Sequence, residues 1–201
     1  MKQFAMKSVL LLALLFAGTS SPFAAEAQKP VLLYSRYFNA IGETRYQPDG
    51  NYKEVLTRLR GEFDVRIHAE PLTPKTLAGV SVVLIANPSE KAVGTNPPPH
   101  HVAAPDIAAL TQFVSAGGGL IVLGNQEAHN LETQDLNRLL AQFGLQLLDK
   151  HTDIKLLPLA KATPIIGGLN WLYYSGDQVV LTPGHAAKPR ALVNNDLAIT
   201  P

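Results

Sequence analysis

Glu43 and Glu127 are the side chains with most chemistry to offer, because two carboxyls about 5 to 10 Å apart can act as acid and base on a glycosidic bond. His129, two residues beyond Glu127, adds a general-base candidate. Around these lies a set of groups suited to holding a polar ligand: Tyr37, Asn39, Arg45, Asn87, His101, Asn125 and Gln126. Tyr37 and Phe38 together could offer ring faces. The plainer reading is that loops are polar anyway and that these carboxylates are solvated. His100 and His101 could approach Glu127 and His129, but a metal site needs three or four donors at fixed geometry, and adjacent histidines point apart. No metal and no cofactor is expected. The chain has no cysteine, which removes disulfides, thiolate metal sites and thiol nucleophiles together.

What could gather these residues is a sheet. Val31-Leu32-Leu33-Tyr34 is a short apolar run bounded by polar residues, the pattern of a buried strand. A polar loop follows, holding Pro48-Asp49-Gly50, and then Tyr52, Val55, Leu56 and Leu59 recur at helical spacing until Gly61. Residues 63–67 alternate apolar with charged, as a strand near a sheet edge does. Leu72-Thr73-Pro74 opens a short helical turn, and residues 80–86, apolar except for Ser81, form a third, buried strand ended by Asn87-Pro88. Residues 89–103, with Pro97-Pro98-Pro99, have no apolar period and predict a long, stiff surface loop.

Pro105 and Asp106 then begin a helix with Ile107, Leu110 and Val114 on one face, stopped by Gly117-Gly118-Gly119. Those glycines precede a strand at 120–123, the reverse of the strand-to-helix order of a phosphate loop, so they serve a turn. A helix over 133–143 turns Leu136, Leu139, Leu140 and Phe143 inward, Gly144 caps it, and 145–148 is extended. Strict alternation of strand and helix predicts an α/β fold with a mostly parallel sheet and helices on both faces. Beyond Lys150 the extended pieces at 154–157 and 179–181 read as short antiparallel additions near the C-terminus. Trp171-Leu172-Tyr173-Tyr174 reads as a core edge rather than a stacking platform, and the halt at Pro201 suggests a C-terminally short chain.

Residues 1–27 have the form of a signal peptide: Lys2 and Lys7, an apolar run over 9–17, and Ala25-Glu26-Ala27 as a cleavage site. Residues 28–201 are then one domain, periplasmic or secreted, with no stable membrane anchor after removal of the signal. A net charge of +1 gives no field for nucleic acid.

The run from Ala109 through Gly117-Gly118-Gly119 to Asn125, preceded by Val82-Val83-Leu84-Ile85-Ala86-Asn87-Pro88, resembles the class I glutamine amidotransferase-like superfamily, including its trehalose-utilisation-like branch. The resemblance implies a flavodoxin-like fold. Tyr37-Phe38-Asn39, Leu136-Asn137-Arg138-Leu139 and Phe143-Gly144-Leu145-Gln146 are similar to the amidotransferase-like C-terminal domain of some unsaturated rhamnogalacturonyl hydrolases. Val122 stands where the amidotransferase nucleophile would be, and the α/α-barrel of those hydrolases is absent, so no amidotransferase activity is implied. What the resemblance implies is a non-catalytic exported accessory domain that binds carbohydrate or a protein partner in pectin-like polysaccharide degradation. A hydrolase or lyase using Glu43, Glu127 and His129, and an oligomerisation scaffold with a vestigial site, are the alternatives.

Overall fold

The computed structural model describes residues 28–125, 129–152, 157–158, 170–171, 176–182, 192–194 and 197–199. Strand β1 (Val31–Ser35) is buried throughout and lies inside a four-stranded sheet. It pairs in parallel with β2 (Asp64–His68) on one side and β3 (Val82–Ala86) on the other, and β3 carries β4 (Gly119–Leu123) in parallel, giving the order β2-β1-β3-β4. Parallel neighbours require crossovers. Helices α1 (Lys53–Leu59), α2 (Pro74–Leu77) and α3 (Ala104–Ser115) lie in the three connections.

The two faces of the sheet are covered unequally, and alternation along the strands decides which residue meets which helix. Leu33, Val83 and Ile85 pack with Leu77 of α2, Leu110 of α3, and Leu136 and Leu139 of α4 (Gln134–Leu140). Leu32, Tyr34, Leu84 and Ala86 point the other way, onto Leu56 of α1 with Tyr46 and Tyr52. Val55, which shares the helical spacing of α1, is half exposed. Tyr34 donates from its hydroxyl to the Tyr46 carbonyl at 2.6 Å, and burial pushes its phenol pKa far up, so it remains a donor.

The helix ends follow from local chemistry. Thr73 and Thr76 cap α2 reciprocally, and Asp106 closes the start of α3 by accepting from the Ala103 and Leu72 N–H groups. At the end of α3 the Gly118 N–H bonds the Phe113 carbonyl and the Gly117 N–H bonds that of Val114, with Gly117 at φ +99°. That is a Schellman cap. A Cβ at Gly118 would lie 2.3 to 2.5 Å from three atoms of the Phe113 ring, so any side chain there requires the ring to shift. After α4 a 3-10 turn at Ala141–Phe143 ends on Gly144 at φ 71°.

The sequence expectation for the strand at 145–148 needs a correction of place. Strand β5 (Leu145–Thr152) leaves the parallel sheet and pairs antiparallel with β8 (Gly176–Leu181). Between them in the chain, β6 (Leu157–Pro158) pairs antiparallel with β7 (Asn170–Trp171). Strands β9 (Leu192–Asn194) and β10 (Leu197–Ile199) likewise pair with each other. The antiparallel additions near the C-terminus are thus present, with 154–156 of the expected piece outside the described residues, and among the described residues β4 is an edge of the four-stranded sheet. Residues 1–27, proposed as a signal peptide, lie outside the described residues, as do 172–174 of the aromatic cluster. Among the described residues, no helix is long and apolar enough to cross a membrane.

Candidate functional site

The carboxyl ends of β1, β3 and β4 bring Asn39, Asn87, Asn125 and His129 into contact, because a parallel sheet ends all its strands on one side. Asn87 is the hinge of the group. It stands just past β3 at φ 45°, a left-handed conformation that asparagine tolerates, and it is 1 % exposed. Its Oδ1 accepts from the Asn125 N–H at 2.9 Å and its Nδ2 donates to the His129 carbonyl at 3.2 Å. Asn39, also buried, donates to the carbonyls of Ala86 and Asn87 at 2.9 and 3.0 Å. Asn125 donates from Nδ2 to the Tyr46 hydroxyl at 2.9 Å. These amides tie strand ends to one another, so Asn39 and Asn87 are committed to the protein rather than presented to a ligand.

Glu43 is tied as firmly. Arg45 donates from Nε to Glu43 Oε1 at 2.9 Å and from an Nη to Oε2 at 2.6 Å, and its backbone N–H adds a bond to Oε1 at 3.0 Å. The two-pronged guanidinium holds the Glu43 carboxyl below the usual glutamate range although burial pushes it up, and the same pairing raises Arg45. A carboxylate held ionised in this way does not serve as a proton donor. The other half of the expected carboxylate pair, Glu127, lies outside the described residues with Gln126. His129 sits beside this network, with Nδ1 buried and without a hydrogen-bond partner among the described residues.

The two histidines of the proline loop diverge. His100 stacks flat on Tyr37, centroids 4.2 Å apart and planes 9° from parallel, while Phe38 is wholly buried in the core. His101 turns toward α4, with Nδ1 3.2 Å from Asp135 Oδ2 and Nε2 3.1 Å from the Glu90 carbonyl. His101, Glu132 and Asp135 have donor atoms within 4.8 Å of one another, a grouping sequence reading did not anticipate. Its oxygens are already engaged. Glu132 accepts the N–H groups of Asp135 and Leu136 at the start of α4, and Asp135 also pairs with Arg138 at 2.5 Å.

Two hollows flank this region. One, of about 530 Å³, opens at the end of β1 and is lined by Arg36, Tyr37, Glu43, Gln47, Asp49 and His100 among others. Arg36, Gln47 and Asp49 were missed in the sequence, although Arg36 is the first residue after β1 and Asp49 sits in a turn motif. The other, of about 780 Å³, is apolar and runs along β4, between Leu120–Leu123, Phe143, Leu145, Leu147 and Val179. Ile121 and Leu123 of β4 are 43 % and 40 % exposed.

Comparison with known proteins changes the context of these sites. No family model matches the chain. Over 110 residues it is 23 % identical to the intraflagellar transport protein 52 homolog of Mus musculus, covering 55 % of this chain and 24 % of that protein. The chain therefore spans about a quarter of the curated relative it matches. Among solved structures it is similar to the mmIFT52 N-terminal domain, with a TM-score of 0.58 and 19 % identity over 76 % of this chain and 73 % of that one. The two share a fold.

The resemblance to glutamine amidotransferase-like and rhamnogalacturonyl hydrolase domains is corrected by these matches, which are to an intraflagellar transport protein. Its physical source is visible: the helix, glycine triplet and strand that carried it are the Schellman cap and tight turn that such an α/β crossover needs. The accessory role in polysaccharide degradation falls with it, as do the hydrolase or lyase and vestigial-scaffold alternatives. So do the carbohydrate partner and the signal-bearing, periplasmic or secreted protein expected from the leader-like run, since the protein matched is named for a different transport process.

Proposed function

We propose that this chain is a docking domain that receives a partner protein along the open edge of β4, in the context of intraflagellar transport that its relative's name supplies. The carrying observation is the edge itself. Gly119-Leu120-Ile121-Val122-Leu123 has no charge, proline or bulge, yet among the described residues β3 is its sole neighbour in the sheet. Its outer row of backbone N–H and C=O groups is a template for another strand. Leu120 and Val122 lean on the main core while Ile121 and Leu123, opposite Leu84 and Ala86 in register, rise on the face that α1 covers farther in. The apolar hollow beside them gives side chains of an added strand a place to lie. The committed amides and the Glu43–Arg45 pair support a reading without catalysis.

A photoreactive group carried at Ile121 tests this against one carried at Ile67, an equally exposed residue on β2. In cells expressing the chain, position 121 is expected to give protein adducts and position 67 none. Equal labelling at both positions would overturn the proposal.

A further inference from the structure

The 530 Å³ hollow holds a charge pattern that docking along β4 does not use. In the order β2-β1-β3-β4, the connections from the neighbouring strands β1 and β3 lead to opposite edges of the sheet, open α/β sheets take ligands at such a switch point, and the hollow is lined by residues after β1 together with His100 from the connection after β3. The volume is that of a site for a small molecule. Arg36 and Asp49 both line it, and among the described residues neither makes an ion pair. Gln47 lines it too: the residue is only 7 % exposed, and its Oε1 is buried with no hydrogen-bond partner. The two ends of an amide are assigned rather than seen, so in either orientation this wall holds an amide with unmet bonding capacity. The stacked Tyr37 and His100 rings supply a flat apolar side.

Each simpler ligand leaves something unpaired. An anion that met Arg36 would share the hollow with the Asp49 carboxylate, a cation that met Asp49 would share it with the Arg36 guanidinium, and a neutral polyol would pair neither charge. From this arrangement we infer that the hollow binds a small zwitterion, an α-amino acid or a short peptide with free ends. The carboxylate pairs with the Arg36 guanidinium in two-pronged fashion, and the ammonium, with three N–H donors, pairs with Asp49 and the Gln47 amide oxygen. The ring pair takes an apolar side chain.

Calorimetric titration of the full chain tests this with each of the common amino acids and with glycylglycine, followed by N-acetylated and C-terminally amidated forms of whichever binds. A free amino acid or the dipeptide is expected to bind, and these two arms report how long the ligand is. Each blocked form, and each of Arg36→Gln and Asp49→Asn, is expected to bind at least about tenfold more weakly. Thermal unfolding of the two variants should match the parent chain, separating lost recognition from lost folding. The inference is overturned by no binding up to about 10 mM, a range that would still reveal millimolar affinity. It is equally overturned if an acetylated ligand binds as well as the free one, which marks a plain anion site, or if an amidated one does, which marks a cation site.

Discussion

The two edges of the sheet are built on opposite plans. In β2, Asp64, Arg66 and His68 alternate with Val65 and Ile67, and Arg66 pairs with Asp64 at 2.8 Å on the surface. Charge of this kind discourages a second chain from pairing there. β4 has the all-apolar composition of a strand covered on both faces, yet among the described residues it stands at the opposite edge with Ile121 and Leu123 exposed on one face. The difference teaches that edge position alone does not set exposure. The cluster around α1 takes in Val65 of β2 and the inner strands but not Ile121 or Leu123, and β5, the next strand in the chain, turns away to pair with β8 instead of completing the sheet.

The comparison can be broken hardest at the carboxyl end of β4, where Asn87 pins the strand to its surroundings. Asn87→Ala strips the Asn125 N–H and the His129 carbonyl of partners and places alanine in a left-handed conformation. A loss of about 3 kcal/mol in urea unfolding is expected; a loss under about 1 kcal/mol would mean that β4 is held by its ladder to β3 alone.

Glu43→Gln should come next, with a pH signature. Arg45 depresses the folded-state pKa of Glu43 below its ordinary 4.5, so the pair's stabilisation is fully present above that value and is lost as pH falls through the depressed one. The variant should therefore be less stable than the parent chain at pH 7, and the gap should close under acid. A gap that stays constant down to about pH 2 would contradict the depressed value.

Smaller still in stability is Ile121→Lys, expected to shift unfolding by no more than about 1 kcal/mol because the side chain is nearly half exposed. Its effect is expected in light scattering at high concentration, where it should reduce self-association while Ile67→Lys leaves scattering unchanged. Arg66→Ala is the smallest, within about 0.5 kcal/mol by the same unfolding measurement, because both partners of its ion pair are about half exposed.

Much of this fold was legible because periodicity and turn chemistry are local. The edge character of β2 could be read from its alternating charges, the end of α3 from its glycines, and the inward face of α4 from Leu136, Leu139 and Leu140. The exposure of β4 was not, since it depends on whether a distant segment joins the sheet, and nothing in Leu120 to Leu123 says so. The convergence of Asn39, Asn87 and Asn125 followed from the rule for strand ends. Their commitment to each other did not follow, because a polar side chain after a strand has the same sequence whether it faces solvent or braces a neighbouring loop. The name attached to the helix–glycine–strand pattern failed for a related reason: the pattern records a geometric need common to many α/β proteins.

The ring of Phe113 lying over Gly118 also bears on descent. Positions 113 and 118 are coupled: a side chain gained at 118 has to displace the ring at 113 or be matched by a smaller residue there. Related sequences should therefore show the two changing as a pair, and that joint variation is a sharper marker of kinship than the glycine triplet taken alone.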